Sequence, residues 1–375
     1  MHVYESIGSR WRTSQRDGKL KFSKQNRYLV AALYFLLIAI AAFGTVKYSN
    51  LIGSHVTVST TTIATTTIPK STSTATMASP PQFIAKHVIV VFLEDANESY
   101  VLGNPNAPYI NNMLMPNYST AEDYYGVAHP SLPNYIAMVS GSTFAIDEND
   151  FPTLSLSNKN LVDLLSEKDI TWKAYMESMP GGSCNAALSN EDGGIYGYYT
   201  KHDPFVYFKD IMDNLSRCSR IVPLTQFGVD LASDQLPDFS FITANILDDG
   251  HTAPPAPQNK TTCPPSGTAL QCSDSWLNGF LSQVVKNPVF ANTIIFVTWD
   301  ESAKVGNNTA DTNPNNRVLL IAVSPHSKKG FVDNSTLYSH YSLLATIEEI
   351  YGLGNLGKND TTANVLNDLF LNDTV

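Results

Sequence analysis

Charge is scarce in this 375-residue chain, where Asp, Glu, Lys and Arg together make up 15%. Basic residues are the scarcer sign, 24 Lys and Arg against 34 Asp and Glu, and they are unevenly placed. Seven of them (Arg10, Arg12, Arg16, Lys19, Lys21, Lys24 and Arg27) fall in residues 1–27 against only Glu5 and Asp17. That segment therefore carries a net +5 and the remainder −15. A body of that sign repels a polyanion, and no basic cluster interrupts it, which argues against a nucleic-acid partner. Cysteine is scarce too. The four present, Cys184, Cys218, Cys263 and Cys272, contain no C-x-x-C metal knuckle and form an even set suited to two disulfides. Nearest-neighbour pairing gives Cys184–Cys218 and Cys263–Cys272, one of three possible arrangements. No internal repeat is visible.

Long apolar runs are absent with one exception. Tyr28 to Val46 (YLVAALYFLLIAIAAFGTV) is 19 residues without a charge. At about 1.5 Å per residue it is long enough to cross a hydrocarbon core of about 30 Å. The basic residues on its N-terminal side orient it with residues 1–27 in the cytoplasm and everything after Lys47 outside. A cleaved secretory signal is the alternative, but the run is long for a signal core and no clear small-x-small site follows it. Either way the main body is expected to be exported, anchored by a single span or secreted. Ser54 to Pro81 is a Thr/Ser/Pro-rich stretch that cannot bury a core, so residues 47–85 read as a disordered stalk. Eight N-x-[ST] sequons, at Asn97, Asn117, Asn214, Asn259, Asn307, Asn334, Asn359 and Asn372, agree with export, although a chain this rich in Asn and Thr yields several by chance.

The remaining 43% hydrophobic composition supports a folded body, expected over residues 86–375. His87–Glu94 (HVIVVFLE), Asp238–Thr243, Thr293–Trp299 and Arg317–Ser324 are short apolar, β-branched runs typical of strands buried on both faces. Asn160–Glu167, Asp274–Val285 and Tyr341–Tyr351 have helical patterning. Alternation of the two predicts an α/β domain with a mostly parallel sheet and helices on both faces. Ligands bind at the carboxyl ends of strands in such sheets, and acids stand at those ends here. Glu94-Asp95 follows the first strand, Asp300-Glu301 a later one, and Asp248-Asp249-Gly250-His251 lies shortly after Thr243. Adjacent acids at the tips of buried strands need solvent, a proton or a cation, so two converging pairs would make an oxygen-rich metal site. Ser131 precedes Leu-Pro-Asn and a short apolar helix, where it is expected to cap the helix and lie beside an anion held by the helix N-terminus. His129, His202, His251 and His340 fall in loops after core elements.

In their order these features resemble the alkaline-phosphatase superfamily, and within it the phosphoesterase family of acid phosphatases and bacterial phospholipases C. The stretches that carry the resemblance are VIVVFLE…SY, HPSLPNYIAMVSG, KHDPFVYF, LPDFSFITANILDDGH, IIFVTWDE, RVLLIAVSPHSKKG and SHYSLLATIEEIYG, which span roughly Lys86 to Leu353. The resemblance implies a three-layer sandwich and a divalent metal ion, with Mg, Mn, Ca, Fe and Zn all open. Ser131 matches the nucleophile that becomes phosphorylated and a metal-bound oxygen. Asn134 matches an amide that holds a phosphoryl oxygen. Glu94, Asp300 and Glu301 match carboxylate ligands. Asp249, His251 and His340 match positions that hold a second ion in two-metal relatives, and His202 matches a phosphate or leaving-group contact. Lys201 and His129 are expected to contact substrate. Where the family shows Glu-Asn, this chain has Glu94-Asp95, with Asn97 two residues on; Asp95 is the favoured second ligand because it follows the strand directly.

The expected reaction is a two-step in-line displacement through phosphoserine, with His251, His202 and His340 the candidates for protonating the leaving oxygen. A small phosphate monoester is the favoured substrate, because the acidic body suits an acidic medium. A phosphodiester or phospholipid is the alternative. The rival of a different class is an inactive surface-binding glycoprotein on the same fold, which would leave the joint presence of nucleophile, carboxylates and histidines unexplained.

Overall fold

The computed structural model describes residues 85–149, 154–181, 197–251, 262–302 and 316–371. The expected basic tail, membrane span and stalk lie outside them, as do Cys184, Asn259, Asn307 and Asn372. No helix among the described residues is long and apolar enough to cross a membrane.

Among the described residues nine strands form one sheet: β1 (His87–Leu93), β2 (Ser119–Tyr125), β3 (Trp172–Met176), β4 (Ile221–Pro223), β5 (Phe239–Thr243), β6 (Thr293–Trp299), β7 (Arg317–Val323), β8 (Val332–Asp333) and β9 (Tyr338–Ser339). The order is β4-β3-β5-β1-β6-β7-β2-β8, with β9 also on β2. β7 runs antiparallel to both its neighbours, so the sheet is mixed, while the remaining pairs are parallel. β1 sits at the centre between β5 and β6 and is buried along its whole length. That explains its unbroken apolar sequence, since a central strand has no solvent face to alternate toward.

The longer helices are α1 (Ser131–Ser140), α2 (Leu161–Glu167), α3 (Thr225–Ala232), α4 (Ala269–Val285) and α5 (His340–Tyr351). Phe92 of β1 meets Tyr135 of α1 and His340 of α5 on one face of the sheet. Tyr175 of β3 meets Phe227 of α3 on the opposite face, and Phe227 in turn packs on Phe280 of α4. Helices thus cover both faces. α4 starts five residues before the expected Asp274, because Thr268 and Gln271 form a reciprocal capping box. Cys263 and Cys272 are disulfide-bonded, and Cys218 also lies in a disulfide.

Candidate active site

Two backbone links and one shared carboxylate oxygen draw the acidic strand ends together. Glu94 N–H donates to the Asp249 carbonyl at 3.0 Å, and Asp300 N–H donates to the Leu93 carbonyl at 2.9 Å. Asp300 Oδ1 then accepts from the amides of Asp95 at 3.0 Å and Glu301 at 2.6 Å. Gly250, at φ +102°, permits the tight turn between Asp249 and His251 against the Glu94 carbonyl, where a Cβ would come within 3.2 Å. Glu94, Asp249, Asp300 and Glu301 are consequently buried at the carboxyl edge of the sheet, although their side chains are acidic.

The sequence-predicted residues meet around Ser131. Its hydroxyl lies 3.1 Å from Glu94 Oε2 and 3.5 Å from Glu301 Oε1, and Lys201 Nζ donates to it at 3.3 Å. Lys201 Nζ is also 3.9 Å from Glu94 Oε2. His202 bridges Glu94, at 3.1 Å from Nε2, and Asp249, at 3.7 Å from Nδ1. His251 Nε2 stands 3.3 Å from Asp95 Oδ2, and His129 Nδ1 is in close contact with Glu301 Oε2. His251 is the exposed member of this group, its side chain 45% accessible. Asn97 begins the short turn Glu98–Val101, whereas Asp95 joins the carboxylate cluster.

One expectation is corrected, and two further predicted residues have settings the sequence did not indicate. Ser131 is the first residue of α1 and not its cap; Pro130 holds the cap position. The helix end also offers few amides to an anion, since Leu132 N–H is taken by Asn149 Oδ1 at 3.0 Å and Pro133 has none. Asn134 is engaged with its own loop: its Oδ1 accepts from the Val127 and Ala128 amides, and its Nδ2 donates to the Ala128 and Pro130 carbonyls. It therefore shapes the loop that presents Ser131. His340 is fully buried, with Nδ1 3.0 Å from Tyr124 OH and Nε2 2.5 Å from the Asp300 carbonyl, so it braces a carboxylate strand end from below.

Sequence reading missed two contributors. Tyr135 donates to Glu94 Oε1 at 2.8 Å; it stands four residues after Ser131, and the same-face spacing on a helix was the available signal. Asn316 accepts from Ser302 N–H at 2.7 Å and donates to the Ala128 carbonyl at 2.9 Å, tying the Glu301 loop to the Ser131 loop. Nothing local in the sequence marks it.

Electrostatics sort the acids into two kinds. Burial alone would raise the Glu94 carboxyl, but the charges of His202 and Lys201 and hydrogen bonds from His202 and Tyr135 outweigh it and hold Glu94 well below the usual range. Asp95 is pushed up to about 7 by burial and by the Glu94 and Glu301 charges. Burial and the Glu94 charge likewise raise Asp249 and Asp300. Acids that resist ionising together are what a cation would relieve. Ligand atoms of Glu94, Asp95 and Asp300 lie within 4.8 Å of one another. Asp95 Oδ1 and Asp300 Oδ2 are buried without a hydrogen-bond partner, so the donor set fits a divalent ion.

A mixed α/β sheet carries a serine among carboxylates and a lysine at its carboxyl edge, and comparison with known proteins gives the class as phosphoric ester hydrolase. The sequence model of the phosphoesterase family matches residues 91–354, and the chain belongs to that family. It is 29% identical over 350 residues to a Kluyveromyces lactis protein named "Probable acid phosphatase", covering 92% of this chain and 77% of that one. An acid phosphatase of Aspergillus fumigatus is 32% identical, covering 65% of this chain and 51% of that one, so the chain spans about half that relative's length. A phosphatidylinositol-3-phosphatase of Mycobacterium tuberculosis is 29% identical, covering 72% of this chain and 78% of that one. In fold the chain is similar to an alkaline phosphatase superfamily protein from Vibrio parahaemolyticus, with a TM-score of 0.51, 16% identity, and coverage of 75% of this chain and 70% of that one.

Proposed function

We propose that this chain is an exported, metal-dependent, acid phosphatase-like phosphomonoesterase that works through a phosphoserine at Ser131. The observation that carries the reading is the position of Ser131 Oγ, within hydrogen-bond reach of Glu94, Glu301 and Lys201 at once. Glu94, Asp95, Asp300 and Glu301 would hold the cation, and Asp249 lies beside them. Such an ion, when bound, supplies positive charge that lowers the pKa of the serine hydroxyl and offsets the charge of the phosphate.

The chain's own groups do the rest. Ser131 Oγ attacks phosphorus in line, and its proton leaves through the carboxylates to which it already donates. Lys201 stabilises the equatorial oxygens, and its charge favours a monoester dianion over a diester. Burial works against that charge, but Glu94, Asp300, Asp249 and Asp95 keep the ammonium protonated, raising its pKa. Among the three candidate histidines, His340 has both ring nitrogens engaged and His202 is enclosed between two acids, whereas His251 stands at the mouth. His251 is assigned the proton given to the leaving oxygen. Water then cleaves the phosphoserine and releases phosphate. The apolar segment 28–46 and the sequons support export.

The test is release of p-nitrophenol from its phosphate monoester and its bis-ester between pH 4 and 8, with and without chelation. Chelator-sensitive monoester hydrolysis that disappears in Ser131→Ala is expected. Activity persisting in that variant would remove Ser131 from its role, and preference for the bis-ester would turn the reading to a phosphodiesterase.

A further inference from the structure

The two oxygens of Glu94 face different surroundings. Oε2 faces the reaction centre, 3.1 Å from Ser131 Oγ and 3.9 Å from Lys201 Nζ. Oε1 faces the protein, where Tyr135 OH donates to it at 2.8 Å and His202 Nε2 lies 3.1 Å away. Tyr135 is itself closely held. Its ring stacks on the His202 imidazole at 5.3 Å and 9° between planes, and meets the edge of Phe92 at 4.8 Å. It is 1% exposed, so its hydroxyl has no access to water as a substitute partner.

We infer that Tyr135 is the positioning residue of this site: by holding Glu94 Oε1 and the plane of His202, it fixes Glu94 with Oε2 presented to Ser131 and the cation. A carboxylate free to rotate would offer either oxygen, or swing toward Lys201. The phenol removes that freedom before substrate arrives, which is how an outer hydrogen bond tunes a ligand. The same helix supplies nucleophile and clamp. Residues 131 and 135 are one turn apart on α1, so any movement of the helix carries both together.

The inference rests on the proposed cation-dependent reading, and Tyr135→Phe tests it because only the hydroxyl is lost. Uptake of Mn²⁺ by the metal-stripped protein is followed by calorimetry and by the metal-induced rise in melting temperature. A loss of roughly 10- to 100-fold in Mn²⁺ affinity is expected. KM for p-nitrophenyl phosphate should stay near the wild-type value, with kcat depressed at limiting Mn²⁺ and recovering as Mn²⁺ is raised. The same substitution on a Glu94→Gln background separates positioning from general packing, because a residue acting through Glu94 adds nothing once that carboxylate is gone. Unchanged affinity in Tyr135→Phe, or an equal loss on both backgrounds, would overturn the role of Tyr135 alone. Failure of the wild-type protein to take up Mn²⁺ or any other divalent ion would overturn the proposed function with it.

Discussion

Among the described residues Lys201 is the cation closest to the nucleophile, and on the proposed reading its position sets what the site prefers to bind. Its ammonium lies against Ser131 and Glu94, with a side chain only 13% exposed. Carrying a full charge into so enclosed a place is costly unless acids surround it, and here they do. A phosphate monoester brings one more negative charge than a diester, so it gains more from that ammonium in the transition state. Lys201→Met keeps most of the stem and removes the charge. Loss of one such preorganised donor costs about 10²- to 10³-fold in turnover. Hydrolysis of p-nitrophenyl phosphate should fall by that order, and hydrolysis of the bis-ester by much less. Equal losses on both esters would show that Lys201 serves the nucleophile and not the substrate's charge.

At the scale of elements, the nucleophile depends on how closely the 126–131 loop approaches the end of β6. Gly126 makes that approach possible, since a Cβ there would stand 2.6 Å from the Asp300 carbonyl and 2.7 Å from Asn316 Nδ2. Both neighbours are held, the Asp300 carbonyl by His340 Nε2 and Asn316 by its own hydrogen bonds, so neither gives way cheaply. Gly126→Ala is therefore expected to lower both melting temperature and turnover, because it separates Ser131 from Glu301. Gly279, inside α4 with nothing within 4 Å of its Cβ position, is the matched control. Gly279→Ala should stabilise by about 0.5–1 kcal/mol and leave turnover unchanged. Thermal melts and monoester assays of the two variants check both outcomes. β1, β5, β6 and β7 were legible in the sequence because burial on both faces leaves an unbroken apolar run. β2 (Ser119–Tyr125) was not, because Glu122 and Asp123 interrupt it on a strand whose outer neighbours are only the short β8 and β9. β3 carries Lys173, which pairs with Asp230 at 2.5 Å, and so also read as polar. The acids stood out because strand ends mark where ligands sit, and Ser131 because it opens a short helix. The parts played by Asn134, Tyr135, Asn316 and His340 were not, since each is defined by a hydrogen-bond partner distant in sequence or by loop geometry that spacing does not encode.

The molecule as a whole holds protons that an unfolded chain would release. Burial and the nearby Asp248 push Glu177 up to about 7, and burial alone drives Asp203 to about 7. Burial and the neighbouring Asp360 push Glu348 up to about 8. All three stand apart from the residues assigned to the cation. Because the folded form keeps these protons to higher pH than the unfolded form does, the stability they contribute is complete below the ordinary carboxyl range. It is lost as pH rises through 7 to 8. Asp230 and Asp333 act in the opposite sense, since their folded values lie below the ordinary range, and their contribution is lost as pH falls through those depressed values. Between the two limits lies a mildly acidic optimum, which is where a chain with a −15 body outside residues 1–27 also has its self-repulsion partly relieved. Melting temperatures recorded with chelator present, so that cation uptake does not contribute, should peak near pH 4 to 6 and decline toward pH 8. Glu348→Gln, which mimics the protonated group, should flatten the upper part of that decline and melt higher than wild type at pH 8. A wild-type profile that keeps rising to pH 8, or a Glu348→Gln profile parallel to it, would mean that these buried carboxyls ionise normally. The preference for acid would then have to be sought in the chemistry of the site and not in the fold that carries it.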